Sequence, residues 1–129
     1  MRTIFLLAFT FLLISCKQHV SEVVETDETR IEHLVFFSLK DSVSAEEIQS
    51  FKELLKTLVE IDGVSEVEVS SRTDVGDSRT LDYDLLMEIE FTSIANLKSY
   101  ADHPYHLKVR DSLMPVLAAP PATFDMIPD

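Results

Sequence analysis

The sequence predicts an α+β fold, a four-stranded antiparallel sheet with helices on one face, in the order β-α-β-β-α(α)-β. Three observations predict it. Two runs rich in β-branched and aromatic residues, Ile31 to Leu39 and Asp82 to Phe91, read as strands. A helix-period segment with its own start and stop signals lies between them, followed by a weaker strand. After the second run, helical spacing returns and is broken once by a proline before a short closing strand. The 129 residues suffice for one such domain.

The first residues stand apart from that domain. Arg2 is followed by eleven uncharged residues, Ile4 to Ile14, and then by Ser15 and Cys16. A basic start, a short apolar core and a small residue before a cut describe a secretory signal peptide over residues 1–15. The apolar run is too short to span a bilayer, which takes roughly 20 residues. "LISC" resembles the lipobox of bacterial lipoproteins, which implies cleavage after Ser15 and lipid on Cys16. Cys16 is the only cysteine, so no intrachain disulfide can form, and lipidation gives the thiol a use. The expected location is therefore a bacterial cell-envelope membrane, reached through the N-terminal lipid. Residues 16–30 are polar, acidic and without periodicity, and read as a flexible tether.

The formal charge of the whole chain is −12, and loss of Arg2 with the signal peptide makes it one unit more negative. Such a chain is a poor partner for nucleic acid or anionic headgroups.

The domain is expected over residues 31–129. On its first strand Ile31, His33, Val35, Phe37 and Leu39 share one face, and Glu32, Leu34, Phe36 and Ser38 share the other. Ser44 followed by Glu47 fits a capping box, and Ile48, Phe51, Leu55 and Leu58 form the buried stripe of the helix that follows. Gly63 closes that segment, and Val64 to Ser70 is the weaker strand. Tyr83, Leu85, Met87, Ile89 and Phe91 share one face of the third strand. A short helix follows, with Ile94, Leu97, Tyr100 and Ala101 as its stripe. Pro104 suits the first position of a helix running to about Leu117, with His103 or Asp102 as its cap. A strand from about Ala122 to Ile127 ends the chain.

This order is the split ferredoxin-like arrangement. It leaves one sheet face uncovered, with Leu34, Phe36, Leu86 and Ile127 expected there. An apolar patch of that kind suggests a partner, and a homodimer packed sheet to sheet is expected; the acids on the same face leave a monomer open.

On the last long helix His106, Val109, Leu113 and Val116 fall on one stripe, so His106 points inward. If the first strand turns Val35 and Phe37 to the helices, His33, Tyr100 and His106 converge between sheet and helices. A helix start and burial both disfavour imidazolium at His106. A neutral imidazole can act as general base, and a tyrosine hydroxyl beside it can steady an oxyanion. The bland alternative is a filled core in which the histidines and Tyr100 satisfy one another. A metal site from His103, His106 and Asp102 is not expected, because a capping His103 and an inward His106 diverge. No phosphate loop, nucleophile elbow or domain cysteine is present, and no cofactor is expected.

"HLVFFSLK", "LLMEIEFTSIANLKSYADHPYH" and the terminal "FDM" resemble the stress-responsive α/β-barrel (Dabb) family over residues 31–129. The resemblance implies a ferredoxin-like subunit that dimerises through its sheet into an α+β barrel. A plant polyketide cyclase branch of that family is similar. It implies His106 as base, Tyr100 as its assistant and His33 in the same pocket. The implied activity is a cofactor-free cyclase or lyase, although an exported, lipidated chain departs from the soluble plant proteins. The haem-degrading barrel monooxygenases use a tryptophan, and this chain has none. The leading expectation is a small organic ligand bound among His33, Val35, Phe37, Tyr100 and His106. A cyclase or lyase and a purely structural module are the alternatives.

Overall fold

The computed structural model describes residues 29–129. The expected signal peptide, Cys16 and nearly all of the tether lie outside the described residues. None of the described helices is long and apolar enough to cross a membrane.

The elements are β1 (Ile31–Phe37), α1 (Ala45–Lys56), β2 (Val64–Ser71), β3 (Leu85–Phe91), α2 (Ile94–Ala101), α3 (Pro104–Leu113) and β4 (Ala122–Met126). Single 3-10 turns, Thr57–Glu60 and Met114–Val116, extend α1 and α3. The sheet has the order β2-β3-β1-β4 and every neighbouring pair is antiparallel. This is the ferredoxin-like fold that the element order predicts.

The core lies between sheet and helices. From β1 it takes Ile31, Val35 and Phe37, and from β3 Leu85, Met87, Ile89 and Phe91. The helical side supplies Phe51, Leu55, Leu58, Tyr100, Val109 and Leu113. Strict alternation of buried and half-buried residues along β3 shows that one sheet face is covered and the other is not. Helix α1 starts where its capping box places it: Ser44 Oγ accepts from Glu47 N–H at 3.2 Å and Glu47 Oε2 accepts from Ser44 N–H at 2.8 Å. Gly63 has φ +89°, and a Cβ there would meet the Asn96 side chain at 2.5 Å, so only glycine fits this turn into β2.

Four expectations need correction. β1 ends at Phe37 and β3 begins at Leu85, because Asp84 closes both strands. Its N–H donates to Phe37 O at 2.8 Å and its carboxylate accepts from Leu39 N–H at 2.6 Å. Leu39 instead forms an isolated bridge with Leu117. Helix α3 stops at Leu113 rather than near Leu117, since Pro115 has no N–H to donate to the preceding turn and the chain tightens into the 3-10 form. Tyr83 lies outside β3, and its ring meets Phe36 edge-on at 5.0 Å, on the uncovered side. On β4 it is Phe124, opposite Leu34, that joins the uncovered face; Ile127 lies beyond the strand.

That face therefore carries Leu34, Phe36, Leu86 and Phe124, with Phe124 58% exposed. Beside them lies an acidic half. Cross-strand register places Glu66 opposite Glu90, Glu68 opposite Glu88, and Glu32 opposite Glu90. Arg30 bridges Glu32 and Glu90 at 3.1 and 2.6 Å.

Candidate functional site

The break between α2 and α3 builds the site. Helix α2 ends at Ala101, and His103 caps α3, its Nδ1 accepting from Tyr105 N–H at 3.2 Å. Pro104 takes the first helical position, where a missing N–H costs nothing. This tight junction sets the third residue of α3, His106, against the end of α2. His106 Nδ1 donates to the Ala101 carbonyl at 3.1 Å, and its ring stacks on Tyr100 with centroids 4.2 Å apart. Since a carbonyl can only accept, Nδ1 carries the proton and Nε2 keeps the lone pair.

His33 reaches the same region from β1. Its ring stands edge-on to Tyr100 at 6.4 Å and to Phe91 at 6.3 Å. The parity that turns Val35 and Phe37 inward does the same for His33, as the sequence predicts. Its Nδ1 pairs with Asp125, its cross-strand neighbour on β4. Sequence reasoning missed Asp125. The 92-residue separation conceals the pairing, and only the β1–β4 register could have shown it.

Between these groups lies a cleft of about 310 Å³. Val35, Phe37, Leu55, Leu58 and Met87 form its buried floor, and Val109 and Leu113 form one wall. His33, Tyr100 and His106 line it together, so the three residues and the two apolar positions singled out from sequence meet at one place. Ala101, Arg110, Met114 and Thr123 also line it and are exposed, which marks the mouth. A packed core in which the histidines merely satisfy each other would leave no such space.

The electrostatics favour neutral groups. Burial, aided by the charges of Arg110 and His33, holds His106 below the ordinary imidazole range; the hydrogen bond to Ala101 opposes this. Burial pushes the Tyr100 phenol well above its ordinary range, so it is a hydroxyl at neutral pH. That hydroxyl is buried and has no hydrogen-bond partner among the described residues. The His106 imidazole and the Tyr100 ring line the cleft together, while the Tyr100 hydroxyl is itself closed to solvent. Among the described residues, no group of three or more His, Cys, Asp or Glu side chains could hold a metal ion. His103 and His106 hold different backbone groups, as the capping argument expects.

A ferredoxin-like sheet with a single-sided helical layer and an apolar cleft beneath it defines the class: a small α+β pocket protein with one bare sheet face. The chain belongs to the Stress responsive A/B Barrel Domain (Dabb) family, whose sequence model matches residues 31–126. It is similar to a Dabb protein of ferredoxin-like fold from Mesorhizobium loti, with 29% identity and TM-score 0.65, over 78% of this chain and 97% of that one. A dimeric protein of unknown function from Bacteroides fragilis, also ferredoxin-like, is 27% identical with TM-score 0.62, over 77% and 96%. The hydroxynitrile lyase of Passiflora edulis shares the fold at 19% identity and TM-score 0.67, over 79% and 95%. No protein of curated function matches the chain.

Proposed function

We propose that this Dabb domain binds a small organic molecule in the cleft between sheet and helices. The observation that carries the reading is an apolar cleft of about 310 Å³ lined by Tyr100, whose buried hydroxyl has no hydrogen-bond partner among the described residues. An unpaired buried hydroxyl costs roughly 1–3 kcal/mol, and a ligand acceptor removes that cost. The volume lies at the small end of the range for small-molecule sites, roughly 300–1,000 Å³. The chain works as a homodimer through the bare sheet face, in keeping with its apolar patch and with the dimeric Bacteroides fragilis relative. It is held at the envelope by lipid on Cys16, a reading supported by "LISC" and the apolar run before it. A stress-related role has the family description as its support.

Native mass spectrometry of the chain purified from its host tests the ligand and the dimer together. The expected result is a dimer carrying an adduct that Tyr100→Phe weakens. A monomer would remove the dimer, and an adduct indifferent to Tyr100 would remove the site. Labelled palmitate incorporated by the wild type and not by Cys16→Ser tests the anchor.

A second reading is favoured by the protonation of His106. With Nδ1 committed to Ala101, a neutral Nε2 can take a proton from bound substrate while Tyr100 donates to the oxygen that gains charge. This is cofactor-free proton-transfer chemistry of the cyclase or lyase kind, with His33 as a further polar group, oriented by Asp125. Turnover that survives His106→Ala would end this reading.

A further inference from the structure

We infer that the occupant of this cleft is an amphipathic carboxylate, its apolar body on the floor and its anionic head on Arg110 at the mouth. The inference rests on the pocket reading above and adds the class of ligand.

The charges around the cleft point to it. The chain as a whole is strongly acidic, yet among the described residues no Asp or Glu lines the cleft. Among the described residues that line it, Arg110 is the one with a fixed charge. It lies one helical turn beyond His106 on α3, and its charge is felt at that imidazole. A neutral ligand has no need of a cation there. A cationic ligand would meet Arg110 at the entrance and find no carboxylate on the wall.

Asp125 is held by His33, and Asp111 lies beside Arg110 without lining the cleft. Asp111 accepts from Arg110 Nε and Nη2 at 3.0 and 2.8 Å through a single oxygen. A guanidinium has five N–H groups, so Nη1 and one hydrogen of Nη2 stay available for a planar anion. The Arg110–Asp111 pair is exposed, and pairs of that kind contribute little, so it does not hold Arg110 against a better partner.

Position decides which end enters first. Burying a carboxylate among Leu55, Leu58 and Met87 would strip its water and leave it no partner there. At the mouth the head keeps part of its water and gains Arg110. The apolar body then covers the floor, and an oxygen further along it can accept from Tyr100.

Matched probes test this. Octanoate and octanamide have the same apolar body and nearly the same head shape, and differ in charge. Binding of each to the full chain in nanodiscs is read by equilibrium dialysis against empty nanodiscs. Wild type is expected to prefer octanoate by about tenfold, the scale of one charge-assisted pair at a half-exposed site. Arg110→Ala should abolish that preference by weakening octanoate alone, and Arg110→Lys should keep part of it. Arg110→Gln, which keeps the packing of the stem, should behave as Arg110→Ala. Equal binding of the two probes, or a preference that survives Arg110→Ala and Arg110→Gln, overturns the carboxylate assignment and leaves the pocket standing. Failure of both probes to bind above the empty nanodiscs overturns both.

Discussion

Replacing Tyr100 by phenylalanine should move stability and binding in opposite directions. Tyr100 is 2% exposed, and its hydroxyl has no partner among the described residues. The ring itself is well used, stacked on His106 at 4.2 Å and edge-on to Phe91 at 5.0 Å. Phenylalanine keeps both ring contacts and deletes the one atom that lost its water without compensation. Leaving a hydroxyl unpaired costs roughly 1–3 kcal/mol, and the small void left behind returns part of that. The expected net gain is about 1 kcal/mol, or a rise in Tm of about 4–8 °C for a domain of this size. Urea unfolding followed by circular dichroism, with a thermal melt alongside, reads it. On the proposed ligand reading, affinity for the bound molecule should fall by about tenfold, as one hydrogen bond is lost. A Tyr100→Phe protein less stable by 1 kcal/mol or more, without ligand, would show that the hydroxyl is already satisfied. The case for a site waiting on an acceptor would then fall.

Two further predictions concern charge. Because burial lowers the His106 pKa, the unfolded chain binds more protons than the folded one between the lowered value and about 6.5, so this residue makes stability rise with pH through that window. Histidine proton resonances followed by NMR should show His106 titrating below about 6.5, and His106→Gln should flatten that part of the stability profile; a midpoint above the ordinary value would contradict the burial argument. On the bare sheet face, Glu68 and Glu88 stand opposite each other with no cation paired to either among the described residues. Sheet-to-sheet association should tighten with rising salt and with Glu88→Gln by severalfold, as sedimentation would show, and a dimer that weakens with salt would refute repulsion at that face.

Local features were legible in the sequence. The capping box at Ser44 and Glu47, the His103-Pro104 break and the parity that His33 shares with Val35 and Phe37 depend on neighbours a few residues away, and each could be read directly. What depended on distant partners could not. The end of β1 is set by the side chain of Asp84, which hydrophobic periodicity cannot register. The place of Phe124 on the bare face follows from β4 register, and counting on to Ile127 gave the wrong parity. That Tyr100 and His106 would turn inward was readable from spacing; for His33 spacing gave a shared face with Val35 and Phe37 and left open which way that face looks. Whether they would meet a cleft or a filled core depended on how side chains from six elements add up in volume.

The junction of α2 and α3 makes the site a matter of phase. His106 faces the cleft because it stands three positions after the capping His103, and each helical residue turns the chain by about 100°. One residue inserted after Pro104 would carry the imidazole round to the solvent side while leaving the composition of both helices intact. The cleft would keep its floor and lose its imidazole. The spacing of "HPYH" therefore works as an index mark on α3, fixing which of its sides looks inward.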